Sequence, residues 1–154
     1  MPVMTSWEKF ADAEPEFAER VRALFTTRKH MALATLRRDG SPRISGTELE
    51  FSDGEIWLGM MPGSLKALDL RRDPRLALHA PMEDAVEGEE SSWPGDAKLG
   101  GRAVEVSGPE QVDEPHRFRI ELTEVVLTRV GEPADHLVIE AWHPERGLEV
   151  RRRK

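Results

Sequence analysis

The sequence predicts a mainly β fold: an antiparallel barrel, closed or split, of six to seven strands with few helices. Three observations predict it. Apolar segments of strand length recur between residues 30 and 142. The tight-turn signals Asp39-Gly40 and Ser52-Asp53-Gly54 separate the early ones. Most connections are hairpin-length, too short for the helical crossovers of a doubly wound α/β sheet.

The N-terminal segment, residues 6–27, is the helical exception. Trp7, Phe10, Phe17, Val21 and Leu24 recur close to one helical face, and Pro15 suits the first turn of a helix. A short helix is expected at 6–13 and a longer one at 15–27. Residues 30–37 are dense in Met, Ala, Leu and Thr and read as the first strand. Residues 42–51, with Ile44, Leu49 and Phe51, read as the second, and residues 55–61, with Ile56, Trp57 and Leu58, as the third. Joined by short turns, these make an antiparallel meander. Pro62-Gly63-Ser64 interrupts the sheet. Ser64 offers an N-cap to a short helix through Leu65, Leu68 and Leu70, which Asp73-Pro74 ends.

Residues 75–80 form the fourth strand. Residues 81–96, acidic and carrying Pro81, Pro94 and two glycines, read as a loop or partial disorder. Residues 99–106 are a strand weakened by Gly100-Gly101, residues 109–117 a short helix or a loop, and residues 118–130 alternating and then continuous strand. The last clear strand is 135–142. The basic end, residues 151–154, reads as a solvated tail or as a contact with a partner subunit or an anion. Residues 1–154 make one domain.

Composition excludes several classes. The absence of cysteine removes disulfides, thiolate zinc sites, iron–sulfur ligation and a cysteine nucleophile, and suits a cytoplasmic protein. No apolar run reaches the roughly 18 residues of a membrane span, and residues 1–10 match neither a signal nor a transit peptide. A net charge of −7 argues against a general nucleic-acid binder. The charge is uneven, however. Lys66, Arg71, Arg72 and Arg75 precede an acidic run of Glu83, Asp84, Glu87, Glu89 and Glu90, a pattern compatible with a local anion site.

Gly63-Ser64-Leu65-Lys66 is the most informative segment, because it stands where a strand hands over to a helix. A helix N-terminus presents free N–H groups and the positive end of its dipole, which suits a phosphate. Ser64 adds a hydroxyl and Lys66 a charge; a plain N-cap with an exposed lysine fits the same residues. Other signatures are missing. There is no Gly-Lys-Ser/Thr P-loop and no GxGxxG after a strand. His30, His79, His116, His136 and His143 lack metal-ligand spacing, Ser45-Gly46 lacks a nucleophile-elbow pattern, and Glu48 and Glu50 read as a solvated strand face.

Taken together, residues 30–80 resemble the pyridoxamine 5′-phosphate oxidase-like family of flavin- and deazaflavin-binding split β-barrels. The likeness rests on the strand at 30–37, the Asp39-Gly40 turn, Pro42-Arg43, the strand with Trp57, Ser64-Leu65-Lys66, and the run Leu70-Arg71-Arg72-Asp73-Pro74-Arg75. Gly101-Arg102-Ala103 and the strand near Trp142 extend it. The resemblance implies an FMN-binding split barrel of six strands that dimerises, with two cofactors at the interface. It implies that Arg43, Ile44, Ser45 and Gly46 lie along the isoalloxazine or ribityl part, with Arg43 reaching the phosphate. Trp57, Leu58 and Gly59 line the same site, and Ser64 and Lys66 match the phosphate-binding serine and lysine. Where the family often has arginine, this chain has Leu65; Arg71 is the candidate replacement, though Arg71 and Arg72 also fit a solvated helix end. Trp142 and Arg146 fall where the second subunit often contacts the flavin, and a strand Trp that only packs fits equally.

The expected function is therefore a flavin-dependent oxidoreductase that moves hydride to or from a small molecule, with FMN as cofactor and coenzyme F(420) as the alternative. A non-catalytic flavin- or haem-binding protein is a further alternative. The C-terminal residues 145–154 lack the Arg/His-rich motif that the oxidases use for pyridoxamine phosphate, which argues against that substrate. No metal, membrane or nucleic acid is expected. Hydride transfer requires no acid, base or nucleophile from the chain, so no catalytic side chain is named.

Overall fold

A computed structural model describes residues 3–107 and 114–154. Two helices come first, α1 (Trp7–Ala13) and α2 (Pro15–Phe25). They are followed by β1 (Met31–Leu36), β2 (Pro42–Thr47), β3 (Leu49–Ser52), β4 (Glu55–Met60), α3 (Leu65–Arg72) and β5 (Arg75–His79). After a 3₁₀ turn at Glu90–Ser92 come β6 (Asp96–Ser107), β7 (His116–Val130), β8 (Leu137–His143) and β9 (Gly147–Arg153). The nine strands of the described residues form one antiparallel sheet in the order β2-β1-β5-β6-β7-β4-β3, with β8 and β9 added beyond β7. The fold class is mainly β, as expected.

The strand count exceeds expectation for two reasons. Residues 42–51 form two strands, not one: β2 pairs with β1, while β3, one residue later, pairs with β4. The two therefore stand at opposite ends of the sheet path, joined only through Glu48, and no meander forms. Among the described residues the sheet is not closed by hydrogen bonds. The second reason is the basic end. Instead of a solvated tail it supplies the last three residues of β9, which runs in register with β8 from Leu137↔Arg153 to His143↔Gly147. Its arginine side chains remain exposed. Gly100-Gly101 does not weaken its strand either. β6 continues through a register shift at this pair, where a Cβ on Gly101 would run into the Glu121 carbonyl. The expected helix or loop at 109–117 falls partly outside the described residues; His116 and Arg117 begin β7.

The predicted helical face is buried in full. Trp7, Phe10, Phe17, Val21 and Leu24 join Leu33, Leu58, Leu99, Phe118 and Ile120 in one apolar core. Edge-to-face contacts of Trp7 and Phe17 with Phe10 (5.1 and 5.9 Å) and the Phe10–Trp142 contact (4.7 Å) fasten α1 and α2 to the sheet. The 81–96 loop is pinned as well, through Arg28–Glu83, Trp93 Nε1–H to the Glu83 carbonyl, and Ser91 Oγ–H to the Gly131 carbonyl. No helix among the described residues is long and apolar enough to cross a membrane.

Candidate functional site

The site begins at the head of α3. Gly63 takes φ +67°, a left-handed conformation that favours glycine, and turns the chain into the helix. Ser64 follows in an extended conformation as the N-cap, and the first helical bond runs from Leu68 N–H to the Ser64 carbonyl at 3.1 Å. The N–H groups of Leu65, Lys66 and Ala67 thus have no acceptor within the helix. The Ser64 side chain caps none of them. Its Oγ is buried and has no hydrogen-bond partner among the described residues. Leaving a buried hydroxyl unpaired costs about 1–3 kcal/mol. Such a hydroxyl beside open helical N–H groups fits an anion with several acceptor oxygens.

Two links stitch this helix to β1 and β2. Lys66 Nζ donates to the Gly46 carbonyl at 2.7 Å. One turn further on, Asp69, only 2% exposed, accepts from Arg43 Nε (2.7 Å), Thr35 Oγ1 (2.8 Å) and Arg72 (3.0 Å). Burial pushes the Asp69 carboxyl upward, but the hydrogen bonds from Arg43, Thr35 and Arg72 outweigh it and hold the group below its ordinary range. Arg43, Gly46, Ser64 and Lys66 are thereby brought together. Ser45 is half-buried on the inner face opposite Leu33, whereas Ile44 points outward and is 79% exposed.

An open groove of about 910 Å³ runs along this helix. Arg37, Arg38, Arg43, Arg71 and Arg72 line it, against the carboxylates of Asp39 and Asp69. Arg71 is committed to Glu105, to which it donates at 2.8 and 2.6 Å. That contact holds the Glu105 carboxyl below its ordinary range and raises the Arg71 guanidinium. Arg75 likewise grips Asp73 and lowers its carboxyl to about 2.

A second cavity of about 320 Å³ adjoins the other side of the turn, lined by Trp57, Gly59, Glu48, Glu50, His116 and Arg117 among others. The Arg117 guanidinium lies 3.8 Å from the centre of the Trp57 ring, a cation–π contact. Leu58 points into the core, so only its backbone is available to a ligand. Trp142 is also a core residue, 4% exposed and packed on Phe10, and Arg146 pairs with Glu149 at the surface.

Thr35, Asp69, Glu105 and His116 did not stand out in the sequence. Asp69 looked like one more charge in Leu-Asp-Leu-Arg-Arg, and its burial comes from β1 and β2. The one available signal was its place on the same helical face as Lys66, three residues earlier.

The sequence pattern described as pyridoxamine 5′-phosphate oxidase matches residues 17–139. No curated protein matches the chain. Among solved structures, PhzG from Burkholderia lata 383, in complex with tetrahydrophenazine-1-carboxylic acid, superposes with a TM-score of 0.62 at 12% identity, over 95% of this chain and 92% of its own. A pyridoxamine 5′-phosphate oxidase-related, FMN-binding protein from Nostoc punctiforme PCC 73102 gives 0.58 at 12% identity, over 94% and 96%. A heme-binding protein from Mycobacterium smegmatis gives 0.54 at 16% identity, over 88% and 86%. At these identities the likeness is one of fold.

Proposed function

This chain belongs to the pyridoxamine 5′-phosphate oxidase family, and we propose that it is an FMN-dependent oxidoreductase acting on a small molecule. The observation that carries the reading is the unpartnered, buried Ser64 hydroxyl at the head of α3, one turn from the Arg43–Asp69 link and beside Lys66. In this reading Ser64, Lys66 and the open N–H groups of α3 hold the phosphate. Arg43 stands behind them, oriented by Asp69. Ser45, Gly46 and Gly59 offer backbone edges without bulky side chains, and a Cβ on either glycine would meet open space. The bound flavin ring supplies reversible hydride acceptance, while the protein binds, orients and keeps water away.

FMN is preferred over coenzyme F(420) because of where the cations are spent. The three arginines that the sequence offers for an acidic tail, Arg71, Arg72 and Arg75, are already paired with Glu105, Asp69 and Asp73. Pyridoxamine phosphate is disfavoured as substrate, since residues 145–154 do not reproduce the Arg/His-rich motif by which the oxidases bind it. Titration of the purified protein with FMN, followed by flavin fluorescence and absorbance, is the direct test. Saturable FMN uptake, and reduction of the bound flavin by a nicotinamide donor, is the expected result. A protein that takes up neither flavin overturns the reading, and a Soret band on adding haem would move it to the haem binders.

The same proposal includes a homodimer. Ile44, Gly46, Ala32, Ala34 and Ala77 form a small, uncharged patch among the outward positions of β2, β1 and β5, bordered by Arg75 and His79, where a solvated sheet would carry polar side chains throughout. Sedimentation velocity at micromolar concentration is expected to give a dimer for the natural chain and a monomer for Ile44→Lys. A natural chain that sediments as a monomer removes the dimer.

A further inference from the structure

His116 is buried at 3% exposure, outside the roles described so far. Its Nε2 lies 3.2 Å from the Gly63 backbone nitrogen, which donates to it. An amide N–H can only donate, so this ring nitrogen carries no proton and the neutral ring holds its proton on Nδ1. Nδ1 has no hydrogen-bond partner among the described residues; Glu105 Oε1 stands 3.6 Å away. The charge of Glu105 is already answered by both Arg71 contacts. Phe118 stacks on the ring at 6.2 Å between centroids, and Glu48, Glu50 and Arg117 line the same cavity; Glu114 lies two residues before it in the chain.

We propose that His116 is a positioning residue for the anion cradle: as the neutral Nδ1–H tautomer it accepts the Gly63 N–H and fixes the turn that aims Ser64 and the first N–H groups of α3. This rests on the reading of that turn as the phosphate site. A second proton on the ring turns Nε2 into a donor facing the Gly63 donor, and the contact becomes repulsive. The cradle then loosens, so affinity for a phosphate-bearing ligand falls on acidification for a reason internal to the protein.

The test compares the natural chain with His116→Gln and His116→Leu. The glutamine amide oxygen can take the place of Nε2 as acceptor and does not titrate, whereas leucine has no acceptor. FMN affinity is measured by fluorescence quenching from pH 8 to pH 5. In the flavin-free protein, nitrogen-15 NMR reads the His116 tautomer and the Gly63 amide shift. His116→Leu is expected to bind about three- to tenfold more weakly at pH 8, the loss of one hydrogen bond's worth of positioning. His116→Gln is expected to keep its affinity at pH 8 and to lose less of it at pH 5 than the natural chain. The phosphate's own protonation near pH 6 is common to both and cancels in the comparison. The Gly63 amide is expected to move with the His116 ring without flavin present.

Identical pH profiles in the natural chain and His116→Gln, or an Nε2–H tautomer in the free protein, would overturn the role of His116 while leaving the cradle standing. No FMN binding by the natural chain at any pH would overturn the cradle reading and this proposal together.

Discussion

Replacing Asp69 by asparagine is expected to destabilise the protein by about 2–3 kcal/mol, the largest stability effect of any substitution at the site. Removing one partner of a fully buried ion pair costs roughly 3–5 kcal/mol. The discount arises because the side chains of Arg43 and Arg72 retain 21% and 32% exposure and can turn to water. For a chain of this size the loss corresponds to a fall in Tm of roughly 4–12 °C, readable by circular dichroism.

The same carboxylate should shape the acid limb of the stability curve. Its folded pKa lies below its unfolded value, so on acidification the unfolded chain takes up the proton first. The stabilisation is fully present above the ordinary carboxyl range, about pH 4, and is lost as pH falls through the depressed folded value. Denaturant midpoints of Asp69→Asn should therefore depend less on pH below about 4 than those of the natural chain. Equal slopes in the two proteins would mean that Asp69 is not held down by its three donors.

Replacing Lys66 by alanine is expected to weaken FMN binding about tenfold to a hundredfold, since a charged hydrogen bond to phosphate is worth roughly 1.5–3 kcal/mol. The cost to the fold should be far smaller. The bond from Nζ to the Gly46 carbonyl is solvent-exposed, and an ordinary hydrogen bond contributes only about 0.5–1.5 kcal/mol. Lys66→Arg should recover part of the affinity through its retained charge. Ser64→Ala sharpens the test. It removes a buried hydroxyl that caps nothing, so the flavin-free protein should be as stable as the natural chain or slightly more so, while flavin affinity falls several-fold. Unchanged affinity in Lys66→Ala, measured by titration, would take Lys66 out of the site.

The site was partly legible because its main parts are local in sequence. The turn at Pro62-Gly63-Ser64, the cap and the lysine two residues on lie close together in the chain, and their physics is that of any helix start. The partners that give those parts their setting are distant. Gly46 accepts from Lys66 across 20 residues, Thr35 reaches Asp69 across 34, and His116 meets Gly63 across 53. Pattern along the chain carries no information about such pairings, so Asp69 and His116 passed as ordinary residues.

Residues 42–51 make the same point for the fold. Thr47, Leu49 and Phe51 continue one inward alternation past Glu48, and read along the chain they are a single strand. The sequence by itself determined the helical face of α1 and α2, the turns, the period-two strands and the turn and N-cap at the head of α3, because each depends on neighbours within a turn or a hairpin. The tertiary structure alone decided that one alternating run serves two ends of the sheet, that the basic end is a paired strand, and that Asp69 is buried among donors. Hydrogen-bond partners between strands and the desolvation of a charge are set by what the rest of the chain brings alongside.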